Sequence, residues 1–270
     1  MSSILENAAL VVAHPDDEIL WFSSIVEQMQ ETVLCFMEAP SFPACTEGRR
    51  RATASLPLPK VTTLGMVESE AFNGADWRAP DITAYGLEVR RHPGMLPGFS
   101  AERYRDNFAT LKRLLRDKLR GCDNVYTHNP WGEYGHEEHV QVYRAVEALA
   151  PELRFKVWYS NYCSNKSHYL MQRYMNGFRS DYLMLATNPE LAERIKACYR
   201  KHGCWTWFDD YRWFRHECFL PARAPGNGTS AQSVPLNYLQ IEAPWDAEPR
   251  PRWRVAADKL RHAVSAMRPG

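Results

Sequence analysis

The sequence predicts an α/β protein built on a parallel sheet, and three consecutive segments carry this prediction. The run AALVVA at 8–13 is apolar throughout, as in a strand buried on both faces. Between Ile19 and Met29 apolar residues recur at helical spacing, and TVLCFM at 32–37 is strand-like again. A strand, a helix and a second strand form the βαβ unit of a parallel sheet.

The rest of the chain continues this alternation. The pattern predicts further strands at 60–66, 124–128 and 155–160, and helices at 101–120, 136–150, 188–202 and 254–267. We expect Gly121 to close the first of these helices and Pro151 to stop the second. Residues 221–235 are rich in Pro, Gly and Ser and indicate a loop. Because neither an internal repeat nor a clear linker is present, we predict one domain, 1–270.

The composition excludes several classes of protein. Lys and Arg (33) nearly balance Asp and Glu (32), so no overall field draws the chain to nucleic acid or an anionic membrane. Seven cysteines without C-x-x-C spacing are typical of reduced thiols in an intracellular protein. Signal-peptide and membrane-spanning patterns are absent from the sequence. We therefore expect a cytoplasmic protein with a small-molecule substrate, and a homo-oligomer stays open.

A dense charged cluster follows the first predicted strand. His14, Asp16, Asp17 and Glu18 stand side by side in VVAHPDDEIL. The carboxyl ends of strands are where open α/β sheets bind ligands. A bound cation would offset the repulsion among these acids. The alternative is a simple turn, in which an aspartate caps the helix that follows.

Two histidines at the start of a later helix complement this cluster. His136 and His139 are three residues apart, so both fall on one helix face, and they follow the predicted strand NVYTH. If this strand and the first are parallel, two imidazoles and a carboxylate meet at one edge of the sheet. Three protein ligands with an open position are typical of catalytic zinc. Taken alone, the H-x-x-H spacing is also compatible with a surface coincidence.

Together, AHPDDE near the N-terminus and the later GHxxH resemble the LmbE/PIG-L family of metal-dependent deacetylases. The resemblance covers residues 8 to about 160 and implies a Rossmann-like three-layer sandwich with a mostly parallel central sheet. It implies that zinc, or another divalent metal, is held by His14, Asp17 and His139.

The same resemblance implies roles for three further residues. Asp16 would be the general base that activates water. His136 would stabilise the developing oxyanion or protonate the leaving amine. Tyr134, two residues before His136 as in some family members, would contact the oxyanion.

The sequence also departs from the family pattern. Trp21 and Phe22 replace the small residues that commonly follow the first motif, and we expect them in the core rather than in the pocket. Arg51 is the candidate for substrate binding, although Ala54 stands where many relatives have Glu. Glu137-Glu138 replaces a frequent Pro-Asp, so the support of a metal ligand is expected to differ.

Aromatic residues close to the second motif suggest a carbohydrate-bearing substrate, because sugar rings stack on aromatic faces. Trp131 is the predicted substrate contact, since it precedes the H-x-x-H in the same loop. The aromatic stretch CWTWFDDYRWF at 204–214 is expected to belong mainly to the core.

The leading hypothesis is a zinc-dependent hydrolase that removes an acyl group, acetyl foremost, from an amino-sugar-like small molecule. An amidase that cleaves a larger N-acyl conjugate is the close alternative. A 2-His-1-carboxylate Fe(II) oxygenase would instead use His14, Asp16 and a later histidine. A binding module that kept the fold without catalysis is the remaining class.

Overall fold

The computed structural model describes residues 4–71, 75–91, 98–175, 182–222 and 234–241. Met1–Leu239 form one compact unit, and Gln240–Gly270 form a second unit of which only residues 240 and 241 are described. The predicted helix at 254–267 lies outside the described residues, as does most of the predicted loop at 221–235. One domain over 1–270 stays a prediction.

Helices and strands alternate along the described chain. The strands are β1 Ala8–Val12, β2 Glu31–Glu38, β3 Val61–Val67, β4 Ala75–Thr83, β5 Gly86–Arg91, β6 Asn124–Thr127, β7 Lys156–Ser160, β8 Tyr162–Ser164, β9 Leu183–Ala186, β10 His216–Pro221 and β11 Asn237–Leu239. The helices are α1 Asp17–Leu20, α2 Pro43–Thr53, α3 Ala101–Lys118, α4 Glu137–Leu153, α5 His168–Met171 and α6 Pro189–Lys201.

Seven strands form the central sheet, in the order β3-β2-β1-β6-β7-β10-β9. The first five of these pair in parallel, and β10 runs antiparallel to both β7 and β9. Helices α3 and α4 pack together, with α4 against β1, β6 and β7, whereas α2 packs against β2 and α6. The predicted Rossmann-like sandwich with a mostly parallel central sheet is confirmed.

The strand order reverses between β1 and β6, because the chain builds outward from β1 to β3 and then returns to its other side. All five residues of β1 are buried, as the unbroken apolar run predicted. Ligands of open α/β sheets bind at such a reversal, beyond the carboxyl ends of the strands. The fold therefore places the residues after β1 and after β6 at one crevice.

The predicted helix between Ile19 and Met29 is wrong in its length. Helix α1 ends at Leu20, and the next regular element is a 3-10 turn at Val26–Gln28. The backbone N–H groups and hydroxyls of Ser23 and Ser24 donate to the buried carboxylate of Glu217 on β10. In a continuous helix, the N–H groups of Ser23 and Ser24 would donate to carbonyl groups of the helix itself. Here they donate to Glu217, which is distant in sequence, and the helix ends early.

Two smaller expectations also need correction. Pro151 does not stop α4, which continues to Leu153 and ends at Arg154 in a left-handed conformation. Residues 40–100 contain many Pro and Gly residues, which predict loops with short elements, but strands β4 and β5 within this range form an antiparallel hairpin.

The described helices are all too short or too polar to cross a membrane. All seven cysteines lie within the described residues and are free thiols.

Candidate metal centre

The two predicted motifs meet at the carboxyl ends of β1 and β6. These strands are parallel neighbours, with Val11 opposite Thr127. β1 leads directly into His14, and β6 leads through a loop to the N-terminus of α4. The imidazole centres of His14 and His136 are 4.7 Å apart, and those of His14 and His139 are 5.5 Å apart.

The three predicted metal ligands face one another. Asp17 Oδ2 lies 3.3 Å from His14 Nδ1 and 3.4 Å from His139 Nε2. Ligands about 2.0–2.1 Å from a tetrahedral zinc ion are separated by about 3.3 Å. The distances from Asp17 Oδ2 to the two histidine nitrogens therefore fit those between neighbouring ligands of a small divalent cation.

Two carboxylates orient the histidines so that one nitrogen of each faces Asp17. His14 Nε2 lies 2.9 Å from Glu138 Oε2, and His139 Nδ1 lies 2.8 Å from Glu133 Oε2. Metal-binding histidines usually donate their second N–H to such a partner. His139 Nε2 is buried and has no hydrogen-bond partner among the described residues, as expected for a nitrogen that binds a metal.

Two other histidines in the cluster use their lone pairs elsewhere. His128 Nε2 accepts the backbone N–H of Ala13 at 2.8 Å, and its Nδ1 lies 3.1 Å from Glu133. His136 Nδ1 accepts the N–H of Glu138 as the N-cap of α4, so a neutral His136 carries its proton on Nε2. Neither arrangement leaves a nitrogen lone pair for a metal.

Among the described residues, three groups of possible ligands have atoms within 4.8 Å of one another: His14, His136 and His139; Asp17, His128 and His139; and His14, Glu68 and Glu138. The last group is already satisfied by protein donors. Arg49 forms a close ion pair with Glu68, and the N–H and hydroxyl of Ser69 donate to Glu138 Oε1. We read this group as the charge network that supports His14.

Electrostatics in the cluster favour positive charge beside Asp17. Although burial opposes it, hydrogen bonds with Asp17 and Glu138 raise the pKa of His14 to about 10. Burial likewise opposes ionisation of Asp17, but its contacts with His139 and His128 hold its pKa well below the usual range. The site thus stabilises a carboxylate with cationic partners, a charge balance that a bound divalent cation would also provide.

Asp17 and Asp16 are adjacent but turn in different directions. Trp21 Nε1 donates to Asp17 Oδ1 at 2.8 Å, and the N–H of His14 donates to Asp17 Oδ2 at 2.7 Å. Asp16 has a φ of 109°, which is rare for a residue with a side chain, and its Oδ2 accepts the hydroxyl of Thr206 at 2.7 Å. Burial and the charge of Asp17 raise the pKa of Asp16 to about 7, which suits a general base.

Tyr134 lies at the same cluster, in the loop between β6 and α4. Its ring centre is 5.3 Å from that of His139 and 5.8 Å from that of His136. Gly132 and Gly135 flank it with φ values of 69° and 95°, a backbone that favours glycine. A side chain at Gly132 would also clash with the carbonyl of His136, 2.5 Å from the added carbon.

The two predicted substrate contacts have other partners in the structure. Arg51 is exposed on α2 and lies 3.8 Å from Glu47 on the same helix, whereas the buried Arg49 points to the cluster through Glu68. Trp131 is 0% exposed, and its Nε1 donates to the carbonyl of Tyr162, so its ring belongs to the core. Trp21 and Phe22 are buried as expected.

Several site residues escaped the sequence analysis. Glu133 and His128 were detectable in principle, because metal-binding histidines need a carboxylate partner and His128 ends a strand next to β1. Thr206 and Trp207 carried no such signal, since they lie in the aromatic stretch assigned mainly to the core. The ring of Trp207 lies 4.6 Å from that of Tyr134 and 5.4 Å from that of Trp21.

No protein-family model matches the chain, and no curated protein matches it. Among solved structures, a deacetylase–teicoplanin complex from the biosynthesis pathway of teicoplanin is 15% identical, with a TM-score of 0.45, over 79% of this chain and 97% of that chain. The zinc-inhibited form of teicoplanin deacetylase Orf2 is 16% identical, with a TM-score of 0.43, over 72% and 83%. The conserved protein TT1542 from Thermus thermophilus is 15% identical, with a TM-score of 0.36, over 84% and 99%.

Proposed function

We propose that this chain is a hydrolase that depends on a divalent metal, zinc foremost, and removes an acyl group from an amide nitrogen. The preferred acyl group is acetyl, and the preferred substrate is an amino-sugar-like small molecule. His14, Asp17 and His139 hold the metal in this proposal. Asp16, His136 and Tyr134 carry the proton transfers and contacts of the reaction.

One observation carries the metal assignment. The Nε2 atom of His139 is buried without a hydrogen-bond partner among the described residues, while Glu133 fixes the other ring nitrogen. A buried polar atom left unpaired costs about 1–3 kcal/mol, so a native structure rarely keeps one without a ligand. The nearest charged atom, Asp17 Oδ2 at 3.4 Å, is itself a suitable ligand.

A bound divalent ion would supply a Lewis acid that polarises the amide carbonyl and makes water easier to deprotonate. Asp16 then takes the proton from the attacking water, since it stands beside the ligand set but is turned toward Thr206. His136 offers its Nε2–H, and Tyr134 its hydroxyl, to the oxygen that becomes negative. The nitrogen of the leaving amine receives a proton before the bond breaks, and Asp16, once protonated, can return it.

The amino-sugar part of the proposal is supported by the resemblance of the two motifs and by Trp207. This indole contacts the Tyr134 ring in an edge-to-face arrangement and is partly exposed. It therefore replaces the buried Trp131 as the aromatic candidate for contact with a sugar ring. Arg49 replaces Arg51 as the candidate arginine, because its partner Glu68 lies 3.9 Å from His14 Nε2.

The oxygenase hypothesis is less well supported by the ligand geometry. That reading needs Asp16 as the metal carboxylate together with His14. Asp17, not Asp16, has an oxygen within 3.4 Å of both His14 and His139. Asp16 Oδ2 instead accepts a hydroxyl at 2.7 Å.

The experiment measures the release of acetate from N-acetylglucosamine and from its methyl glycoside. A chelator should abolish release, and added zinc should restore it. Asp16→Asn should lower kcat about 100-fold or more with metal content unchanged, whereas the exposed Asp117→Asn is the matched control. If only larger N-acyl conjugates are hydrolysed, the activity is that of an amidase and not of a deacetylase. Release of acetate without a metal would contradict the proposal.

A further inference from the structure

The aromatic stretch at 204–214 reaches the candidate site through one hydroxyl. Thr206 stands between Trp205 and Trp207, and its Oγ1 donates to Asp16 Oδ2 at 2.7 Å. The two residues are 190 positions apart in the sequence. Asp16 is 3% exposed, so little water is available to replace this hydroxyl.

The stretch around Thr206 is fastened to the body of the protein by a buried lysine. Lys196 of α6 donates to the carbonyl of Asp209 at 2.7 Å, and its ammonium lies 5.3 Å from the Trp205 ring and 5.6 Å from the Trp213 ring. Trp213 Nε1 in turn donates to the carbonyl of Ile19 in α1. These contacts fix the backbone that presents Thr206, although the stretch forms neither helix nor strand.

Thr206 itself is exposed, in contrast to the carboxylate it binds. An exposed threonine contributes little to core packing, so packing does not explain its contact with Asp16. Asp17 differs in this respect, because a backbone N–H and the indole of Trp21 hold it from within the same turn. The carboxylate of Asp16 depends on a donor from outside its own turn.

We propose that Thr206 is a positioning residue for the general base: its hydroxyl holds Oδ2 of Asp16 and thereby directs the other carboxylate oxygen at the attacking water. This inference rests on the proposed function for the role of Asp16. The proton passes from water to Asp16, and Thr206 keeps its own proton throughout.

The test compares three variants of the full chain. Thr206→Val removes the hydroxyl at nearly constant volume, and Thr206→Ser retains it. Thr187→Val is the matched control, because Thr187 Oγ1 donates to the carbonyl of Phe214 at 2.6 Å and so secures the far end of the same stretch. Hydrolysis of the methyl glycoside of N-acetylglucosamine, bound metal and crystal structures are measured for each.

For Thr206→Val we expect kcat to fall about 10- to 100-fold, with KM within about twofold and metal content unchanged. The crystal structure should show the Asp16 carboxylate rotated. Thr206→Ser should stay within about threefold of the parent in kcat, and Thr187→Val should behave like the parent. An equal loss in Thr187→Val, or no rescue by serine, would overturn the inference.

The structural readout separates this inference from the proposed function. If the parent hydrolyses no amide but Asp16 rotates in Thr206→Val, the function fails and the positioning role stands. If the parent is active and Thr206→Val leaves kcat or the Asp16 rotamer unchanged, the positioning role fails and the function stands.

Discussion

The crevice between β1 and β6 and the aromatic stretch at 204–214 contribute to the site in opposite ways. The crevice is built from buried charged groups, and a neighbour close in sequence orients some of them, as Glu133 orients His139. The stretch has no regular structure, and contacts with Lys196, α1 and Thr187 hold it where Thr206 and Trp207 reach the site. The comparison shows that a contact within one motif, such as Glu133 with His139, is local in sequence, whereas the contact that holds Asp16 comes from a segment 190 positions away.

Removal of a metal ligand should give the largest effect. His139→Ala deletes the unpaired Nε2, so we expect zinc affinity to fall about 1,000-fold or more. His202→Ala, outside the cluster, is the control. Titration with zinc, followed by competition with a chromophoric chelator, measures both. If the two variants bound zinc with equal affinity, His139 would not be a zinc ligand.

The next largest difference is expected between variants of Trp131, near the crevice, and Trp207, in the aromatic stretch. Trp131→Ala should lower the free energy of unfolding by about 3–5 kcal/mol, because it empties a fully buried position. Trp207→Ala, only partly buried, should cost less stability and instead raise KM. Denaturant unfolding and steady-state kinetics check the pair. A reversed pattern would place the sugar contact at Trp131 after all.

A smaller loss of zinc affinity is expected when the carboxylate that orients His139 is replaced. Glu133→Gln keeps the volume but weakens acceptance from His139 and His128, so zinc affinity should fall about 10- to 100-fold. Glu147→Gln on the outer part of α4, half-exposed and paired with Arg144, is the matched control. Unchanged affinity in Glu133→Gln would mean that its carboxylate does not orient His139.

The smallest difference concerns the two arginines of α2. Arg49→Met leaves the partly buried Glu68 without its cation and should lower the free energy of unfolding by about 1–3 kcal/mol. Arg51→Met should change it by less than about 0.5 kcal/mol, since Arg51 is exposed. Thermal and denaturant unfolding of the two variants would show whether the crevice side of α2 matters more than its outer side.

The sequence predicted the parts of this molecule whose physics is local. The buried run of β1 and the helical spacing of α3, α4 and α6 were sufficient for the parallel sheet and its helices. The HPDD and H-x-x-H spacings predicted that a carboxylate and two histidines could meet at one edge of the sheet, and the family resemblance selected His14, Asp17 and His139. Helix α1 was predicted too long, because Glu217 from a distant strand binds Ser23 and Ser24.

Contacts between distant segments were the part that sequence alone did not yield. Arg51 and Arg49 differ by two positions on one helix, and only the packing of α2 decides which of them is buried. Trp131 stands near the motif in sequence but inside the core in space. Thr206 reaches Asp16 across 190 residues, and no spacing rule connects them.

The most direct test of the account is a crystal structure of the zinc-loaded protein with anomalous data at the zinc edge. We predict one peak about 2.0–2.2 Å from His14 Nδ1, Asp17 Oδ2 and His139 Nε2, with His128 and His136 outside the ligand set. A peak held by His14, Glu68 and Glu138, or no peak at saturating zinc, would contradict the account.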